Sequence, residues 1–309
     1  MVKAGVSAGG SASRLAVPQD WPSARDRPSH GFVLGEGVEK RVLPPVMVAL
    51  AAQPVVDVVF RSSGPQSPAV IALLGYLHEH GFEAAQKPIG TGIAADGREQ
   101  LSFIEGTSPH PHPWSADAAW QIGAMLRRLH DTAASFVPKV APDWRPWFAR
   151  SQPGDRPVIG HGDLGPWNIL ARHGEPVAFI DWDYAGPVDA HWELAEVAWL
   201  NAQLHDDDVA ERNGLGSPAE RARQLALIVD GYGLDRAGRA GLVDRMVEFA
   251  FRSARQEAID HGVGPATVSP TADGLPVLWA IAWRARAAAW MIDNRAVLES
   301  ASTSDADVI

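Results

Sequence analysis

The spacing of apolar positions changes character near residue 107. From Phe32 to Phe60, short β-rich runs (FVL, VMVAL and VVDVVF) are punctuated by Gly35, Gly37, Pro44, Pro45 and Pro54, which reads as strands separated by turns. A helix is expected from about Ser67 to His80, because Val70, Leu73, Leu74 and Leu77 recur on one face and Gly81 supplies a stop. The stretch GREQLSFIEG reads as a turn and then a strand ending at Glu105–Gly106. The run TSPHPHPW that follows is a proline-stiffened connector. Beyond it the helical period takes over. Ser115 is a plausible cap, and Ala119, Ile122, Leu126 and Leu129 share a face up to His130. Further helices are expected near Asp189–Leu204, Ser217–Tyr232, Arg239–His261 and Leu275–Leu298, with no internal repeat.

Between these helices a loop, a hairpin turning at His173–Gly174 and a second loop interrupt the pattern. The expected layout is α+β: a tail over residues 1–30, rich in Gly, Ala, Ser and Pro, a small β-rich lobe over 31–106 and a larger helical lobe over 107–309. With 309 residues, 46% hydrophobic and 21% charged, the chain can bury a sizeable core. A net charge of −10 leaves no basic excess for a nucleic-acid backbone and is compatible with a cationic ligand. The absence of cysteine excludes disulfides and thiolate metal sites. The apolar run from Pro276 carries Arg284 and Arg286 and is too short to span a bilayer, and the N-terminus lacks a continuous apolar region. The expectation is a soluble, cytoplasmic protein without a membrane partner.

The polar residues of HGDLGPWNIL, His161 to Leu170, sit in a loop broken by glycine and proline. Strands over Asn168–Ala171 and Pro176–Ile180 would pair antiparallel and bring Asn168 beside Asp181, with Asp163 just upstream and Asp183 just beyond. Such a set of hard oxygen donors suits Mg²⁺ holding phosphates better than it suits zinc. No G-x-S-x-G elbow supports serine hydrolysis.

HGDLGPWNIL together with FIDWD resembles the catalytic and metal loops of the aminoglycoside phosphotransferase and choline kinase-like family, relatives of the protein kinases. The kinase pattern is H-R-D-L-x-x-x-N followed by D-F-G. Here Gly162 replaces the arginine, and Asp181-Trp182-Asp183 stands for the second motif. The resemblance implies a two-lobed protein kinase-like fold with nucleotide bound by the small lobe. It implies that Asp163 accepts the substrate's hydroxyl proton, that Asn168 and Asp181 hold metal, and that His161 braces the loop. Phe103, Ile104, Glu105 and Gly106 resemble the hinge whose backbone receives adenine. The implied reaction is Mg²⁺-dependent transfer from ATP or GTP to a small hydroxylated molecule, aminoglycoside-like or other, by a monomer or homodimer.

The chain departs from the pattern in two places. The lysine expected on the third strand is missing; Arg61, at the end of VVDVVF, is the positional candidate, Lys40 is its rival, and a solvated strand-end charge is the plain alternative for Arg61. The helix that follows has no early glutamate, since Glu79 and Glu83 stand at or past its end. The ion pair is therefore absent or replaced, which leaves open a pseudokinase that binds nucleotide or small molecule without efficient transfer. Asp183, in the kinase glycine's position, could touch a second metal, face a cationic substrate or be solvated. Gly35-Glu36-Gly37 reads as a turn more readily than a phosphate-covering loop. Asp189 or Glu193 are expected braces of the catalytic loop, Asp206–Asp208 a solvated loop, His110 and His112 parts of a stiff linker, and Trp279, Trp283 and Trp290 core.

Overall fold

Four short strands make an antiparallel sheet in the computed structural model, whose described residues are 39–41, 57–139, 141–152, 154–268 and 277–303. They are β1 (Glu39–Arg41, backbone only), β2 (Val58–Arg61), β3 (Pro88–Ile93) and β4 (Glu99–Ser102), in the order β1-β2-β4-β3. The expected tail over 1–30, the strands FVL and VMVAL, and Gly35-Glu36-Gly37 lie outside the described residues. Helix α1 (Ser67–Glu79) follows β2 almost at once. It buries the expected stripe of Val70, Leu73, Leu74 and Leu77 together with Phe82 and Leu101. The strand expected to run to Glu105–Gly106 stops at Ser102, where the Phe103 amide turns to the Asp57 carbonyl at 2.7 Å.

The helical part is built on α2 (Ala116–Ala133), capped by Ser115, whose hydroxyl accepts from the Ala118 amide at 3.1 Å. Two short antiparallel pairs come next: β5 (Pro157–Gly160) with β8 (Gly186–Asp189), and β6 (Ile169–Arg172) with β7 (Glu175–Phe179). The β6–β7 turn is the expected one, with His173 and Gly174 both at positive φ as a two-residue hairpin requires. The β5–β8 pair carries no local turn signal and escaped the sequence reading. Helix α3 (Ala190–Asn201) is buried around nearly its whole circumference. The remaining helices are α4 (Asp207–Asn213), α5 (Pro218–Tyr232), α6 (Arg236–Arg239), α7 (Leu242–Asp260), α8 (Val277–Asp293) and α9 (Arg295–Thr303).

The helix expected over Arg239–His261 is α7, which starts three residues later, after Gly241 at φ 75°, whereas the one expected over Leu275–Leu298 is divided at Asn294 into α8 and α9. Asp206–Asp208 is not a solvated loop either. Asp206 caps α4, Arg286 pairs with Asp206 at 2.7 Å and Asp208 at 2.5 Å, and Asp207 accepts from Trp290 Nε1 at 2.7 Å. Trp290 is buried and Trp283 stacks on Trp199, as core residues should, while Trp279 is only half-buried.

Helix α2 crosses α5 at close range, and two glycines permit it. A Cβ added to Gly123 would lie 1.9 Å from the Ile228 carbonyl oxygen, and one added to Gly231 would lie 1.9 Å from that of Trp120. The obstacles are backbone atoms, so the helices themselves would have to separate. Gly123→Ala and Gly231→Ala should each therefore lower stability by about 2 kcal/mol, overpacking outweighing the roughly 1 kcal/mol that alanine gains in helix propensity. Thermal unfolding checks this, and an unchanged or raised Tm would contradict so close a crossing.

Candidate functional site

The loop after β5 is held from behind by one carboxylate. Glu193, on α3 and without solvent exposure, accepts from the amides of His161 at 2.6 Å and Gly162 at 2.7 Å. Its other oxygen faces His130 Nε2 at 2.7 Å, and His130 Nδ1 lies 2.8 Å from the Tyr232 hydroxyl. Burial pushes the Glu193 pKa up, but the hydrogen bond and charge of His130, with the Gly162 amide, hold it below the ordinary carboxylate value. Gly162 sits at φ 82°, and a Cβ there would come within 2.3 Å of the Tyr184 carbonyl. The arginine of the kinase pattern has no room at this position.

His161 is fully buried. Its Nε2–H donates to the Ile180 carbonyl at 2.9 Å while Nδ1 accepts from the Asp163 amide at 3.3 Å, an arrangement that requires the neutral ring. Burial drives its pKa down to about 4 against the pull of Glu193 and Asp181. His161 thus links the loop to the end of β7 and carries no charge near neutrality. Asp189, the other expected brace, caps α3 through the His191 and Trp192 amides and accepts from the Arg156 amide at 2.9 Å.

Asn168 ends a short 3-10 turn, and its Nδ2 donates to the Asp163 carbonyl at 2.8 Å and to Asp163 Oδ2 at 3.0 Å. The Ile180 amide donates to the Asn168 carbonyl at 3.0 Å, so the hairpin opens with Asn168 on one side and Asp181 on the other. Asp163 is half-buried; burial first, then the charge of Asp181, raises its pKa to about 7, with the Asn168 hydrogen bond opposing. Asp181 adopts a left-handed backbone, φ 65° and ψ 65°, a conformation that aspartate visits more readily than most residues. Its Oδ1 lies 2.6 Å from Arg61 Nη2, and Asp183 Oδ1 lies 3.1 Å from the same nitrogen. Arg61 is therefore not a solvated strand-end charge. It joins β2 to both aspartates.

Phe103–Gly106 runs outside any strand, with the Glu105 carbonyl accepting from Arg172 at 3.2 Å. Just beyond, Thr107 and Ala171 exchange backbone hydrogen bonds of 3.0 and 2.9 Å, tying this segment to β6. Lys40 pairs in register with Val59, but its side chain is outside the described structure. The sequence reading missed Glu99, which is directly opposite Arg61 across the β2–β4 ladder and 1% exposed. Its place beside Arg61 follows from the pairing of β4 with β2, which no local pattern in the sequence signals. A cavity of about 320 Å³ lies elsewhere, lined in part by Trp114, Asn201, Gln203 and Arg221. Asn201 links it to the site, its Nδ2 donating to the Leu164 carbonyl at 2.8 Å.

Asn168, Asp181 and Asp183 offer the oxygen donors a hard cation requires. Among the described residues no three His, Asp or Glu side chains form a ready metal cage, and the cation that Asp181 and Asp183 share here is the Arg61 guanidinium.

The phosphotransferase enzyme family is matched over residues 56–242. A trifolitoxin immunity protein of Rhizobium leguminosarum bv. trifolii is 52% identical over 244 residues, covering 79% of this chain and 92% of its own length. A choline/ethanolamine kinase family protein of Mesorhizobium loti, 12% identical, overlays with a TM-score of 0.50 across 88% of this chain and 94% of that one, and so shares the two-lobed kinase-like fold.

The neutral state of His161 has a measurable consequence. Below about pH 6.5 the unfolded chain protonates this histidine, whereas the folded chain resists until about pH 4. Its contribution to stability is thus complete above that window and declines through it as pH falls, by about 1.4 kcal/mol per pH unit. His161→Gln keeps a donor and an acceptor but cannot titrate. Urea unfolding across pH 4 to 6.5 should show the wild type losing stability faster than this variant by that slope; parallel curves would mean that His161 is not buried neutral.

Proposed function

Because the chain belongs to the phosphotransferase enzyme family, we propose that it is a small-molecule kinase that moves the γ-phosphoryl group of ATP or GTP to a hydroxyl group. In this reading residues 31–106 form the nucleotide-binding lobe and 107–309 the catalytic and substrate lobe. The observation that carries it is the Asp163–Asn168 pair: a carboxylate braced by a carboxamide, with a pKa near 7, in the same site as Asp181. A base so poised can take a hydroxyl proton and is about half ionised at neutral pH. Asp163 orients the acceptor hydroxyl and removes its proton as the oxygen attacks in line, and the Asn168 amide keeps the carboxylate aimed. Asn168 and Asp181 would hold Mg²⁺, with Asp183 beside them. When bound, the metal would offset charge on the phosphate oxygens. Arg61 would meet the remaining phosphates, and the backbone of Phe103–Gly106 would receive the base.

The name of the 52%-identical relative supports an acceptor of antibiotic type, aminoglycoside-like or other, whose modification would protect the cell. No helix among the described residues is long and apolar enough to cross a membrane, which is compatible with the proposed cytoplasmic setting. One observation favours a second reading, binding without turnover: α1 carries no carboxylate before Glu79, and Arg61 is already engaged by two aspartates.

Mass spectrometry of an acceptor panel incubated with Mg·ATP separates the two. Asp163→Asn should cut transfer at least about 100-fold while leaving nucleotide affinity within a few-fold. Unchanged turnover in that variant would remove Asp163 from the reaction, and nucleotide binding without any phosphorylated product in the wild type would select the second reading.

A further inference from the structure

Glu99 and Arg61 face each other across β2 and β4 with a gap between them. In the antiparallel register they are direct partners, the closest cross-strand relation a sheet offers. Glu99 is 1% exposed, and a buried carboxylate is costly unless it is paired. One of its oxygens accepts from the Ser67 hydroxyl at 2.6 Å. The other, Oε2, has no hydrogen-bond partner. Across from it at 3.8 Å lies Arg61 Nη1, within ion-pair range but also buried and without a hydrogen-bond partner. All of Arg61's close bonding is done by Nη2, with Asp181 at 2.6 Å and Asp183 at 3.1 Å. The guanidinium therefore has two carboxylate seats within reach and occupies one.

Ser67 shows that the second seat is built. It is the first residue of α1, and besides donating to Glu99 its oxygen accepts from the Gly64 amide at 2.8 Å. Strand β4, the β2–α1 connection and the start of α1 are thereby fastened around the Glu99 carboxylate. A planar guanidinium bonds best with both nitrogens engaged, and a shift of about 1 Å would bring Nη1 into a charge-assisted bond with Oε2. Another cation held by Asp181 and Asp183 would displace it in that direction.

We propose that Glu99 is the positioning residue that holds Arg61 toward the nucleotide's phosphates, and that in the nucleotide-free protein Arg61 serves as the counter-cation of Asp181 and Asp183, which a divalent metal must displace. The strand carboxylate thus takes the part of the one missing from α1. This rests on the kinase reading above, because it presumes a metal–nucleotide ligand.

The test uses the full chain and two probes, Mg²⁺ alone and Mg²⁺ with a non-hydrolysable ATP analogue, read by titration calorimetry, with melting temperatures recorded without ligand. Arg61→Gln should shift the two affinities in opposite directions: tighter for Mg²⁺ alone, and about tenfold or more weaker for the metal–nucleotide. Glu99→Gln should weaken the metal–nucleotide by about tenfold without tightening Mg²⁺ alone, and Glu99→Asp should recover part of the loss. Ser67→Ala, which leaves both charges in place, should weaken the metal–nucleotide less than Glu99→Gln and stands in if that variant does not fold. A merely structural Glu99 would lower the melting temperature of its variant and leave metal–nucleotide affinity at the wild-type value, which overturns the proposal. Arg61→Gln binding Mg²⁺ alone no better than wild type overturns the counter-cation part. A wild type that binds no metal–nucleotide overturns the kinase reading itself and this inference with it; wild-type binding with unaltered variants overturns this inference alone.

Discussion

Glu193 is a carboxylate without access to water, and the neighbourhood of the catalytic loop is arranged to keep it charged. Removing an ion from water costs several kcal/mol, which only good geometry and further hydrogen bonds offset. Here two consecutive amides, His161 and Gly162, meet one oxygen, and His130 meets the other. The Tyr232 hydroxyl sits on the far side of the imidazole, so α2, α3, α5 and the loop share one hydrogen-bonded chain. Because the bonds are to backbone, they set the direction in which the chain leaves residue 162, and with it where Asp163 emerges. The pleated β5–β8 pair and the His161–Ile180 bond hold the same loop from its other sides.

The Arg61 cluster is of a different kind. Glu193 has its partners at 2.6 to 2.7 Å with no alternatives, whereas Arg61 faces three carboxylates and leaves one of them at 3.8 Å. Asp181 is about half exposed, so its attraction to Arg61 is partly screened and worth far less than a dry pair would be. A firm brace behind the loop and a loosely committed cation in front of it suit the proposed role, in which Asp163 is held still as base while a charged ligand enters.

What the sequence revealed and what it hid divide along the range of the interactions involved. The stripes on α1 and α2 were legible because burial repeats every three or four residues whatever the rest of the chain does. The β6–β7 hairpin was legible because His173–Gly174 has the only backbone its turn accepts, and that hairpin carries Asn168 and Asp181 to one opening. The β5–β8 pair was not legible, since each strand is four residues long and its partner lies across the whole catalytic loop. Glu99 was hidden for the same reason: its meaning depends on which strand lies next to which. The divided helix failed differently: apolar residues continue past Asn294 to Val297 and Leu298, so the break between α8 and α9 leaves no mark in the period. Asp206–Asp208 read as a charge run because its cations come from other helices, Arg221 from α5 and Arg286 from α8.

The departures from the kinase pattern are connected by one physical theme. An arginine at position 162 is barred by the Tyr184 carbonyl, and the loop is gripped instead through its own amides by Glu193. A carboxylate on α1 is missing, and one on β4 lies beside the cation instead. In both places the contact expected from the kinase pattern is absent and a buried carboxylate, Glu193 on α3 or Glu99 on β4, lies at the position it would have served. Transfer of a phosphoryl group asks the protein chiefly for position and charge, not for a particular covalent chemistry. A scaffold that keeps the charges where they are needed can therefore change the residues that supply them, and the invariant to look for is the location of each charge.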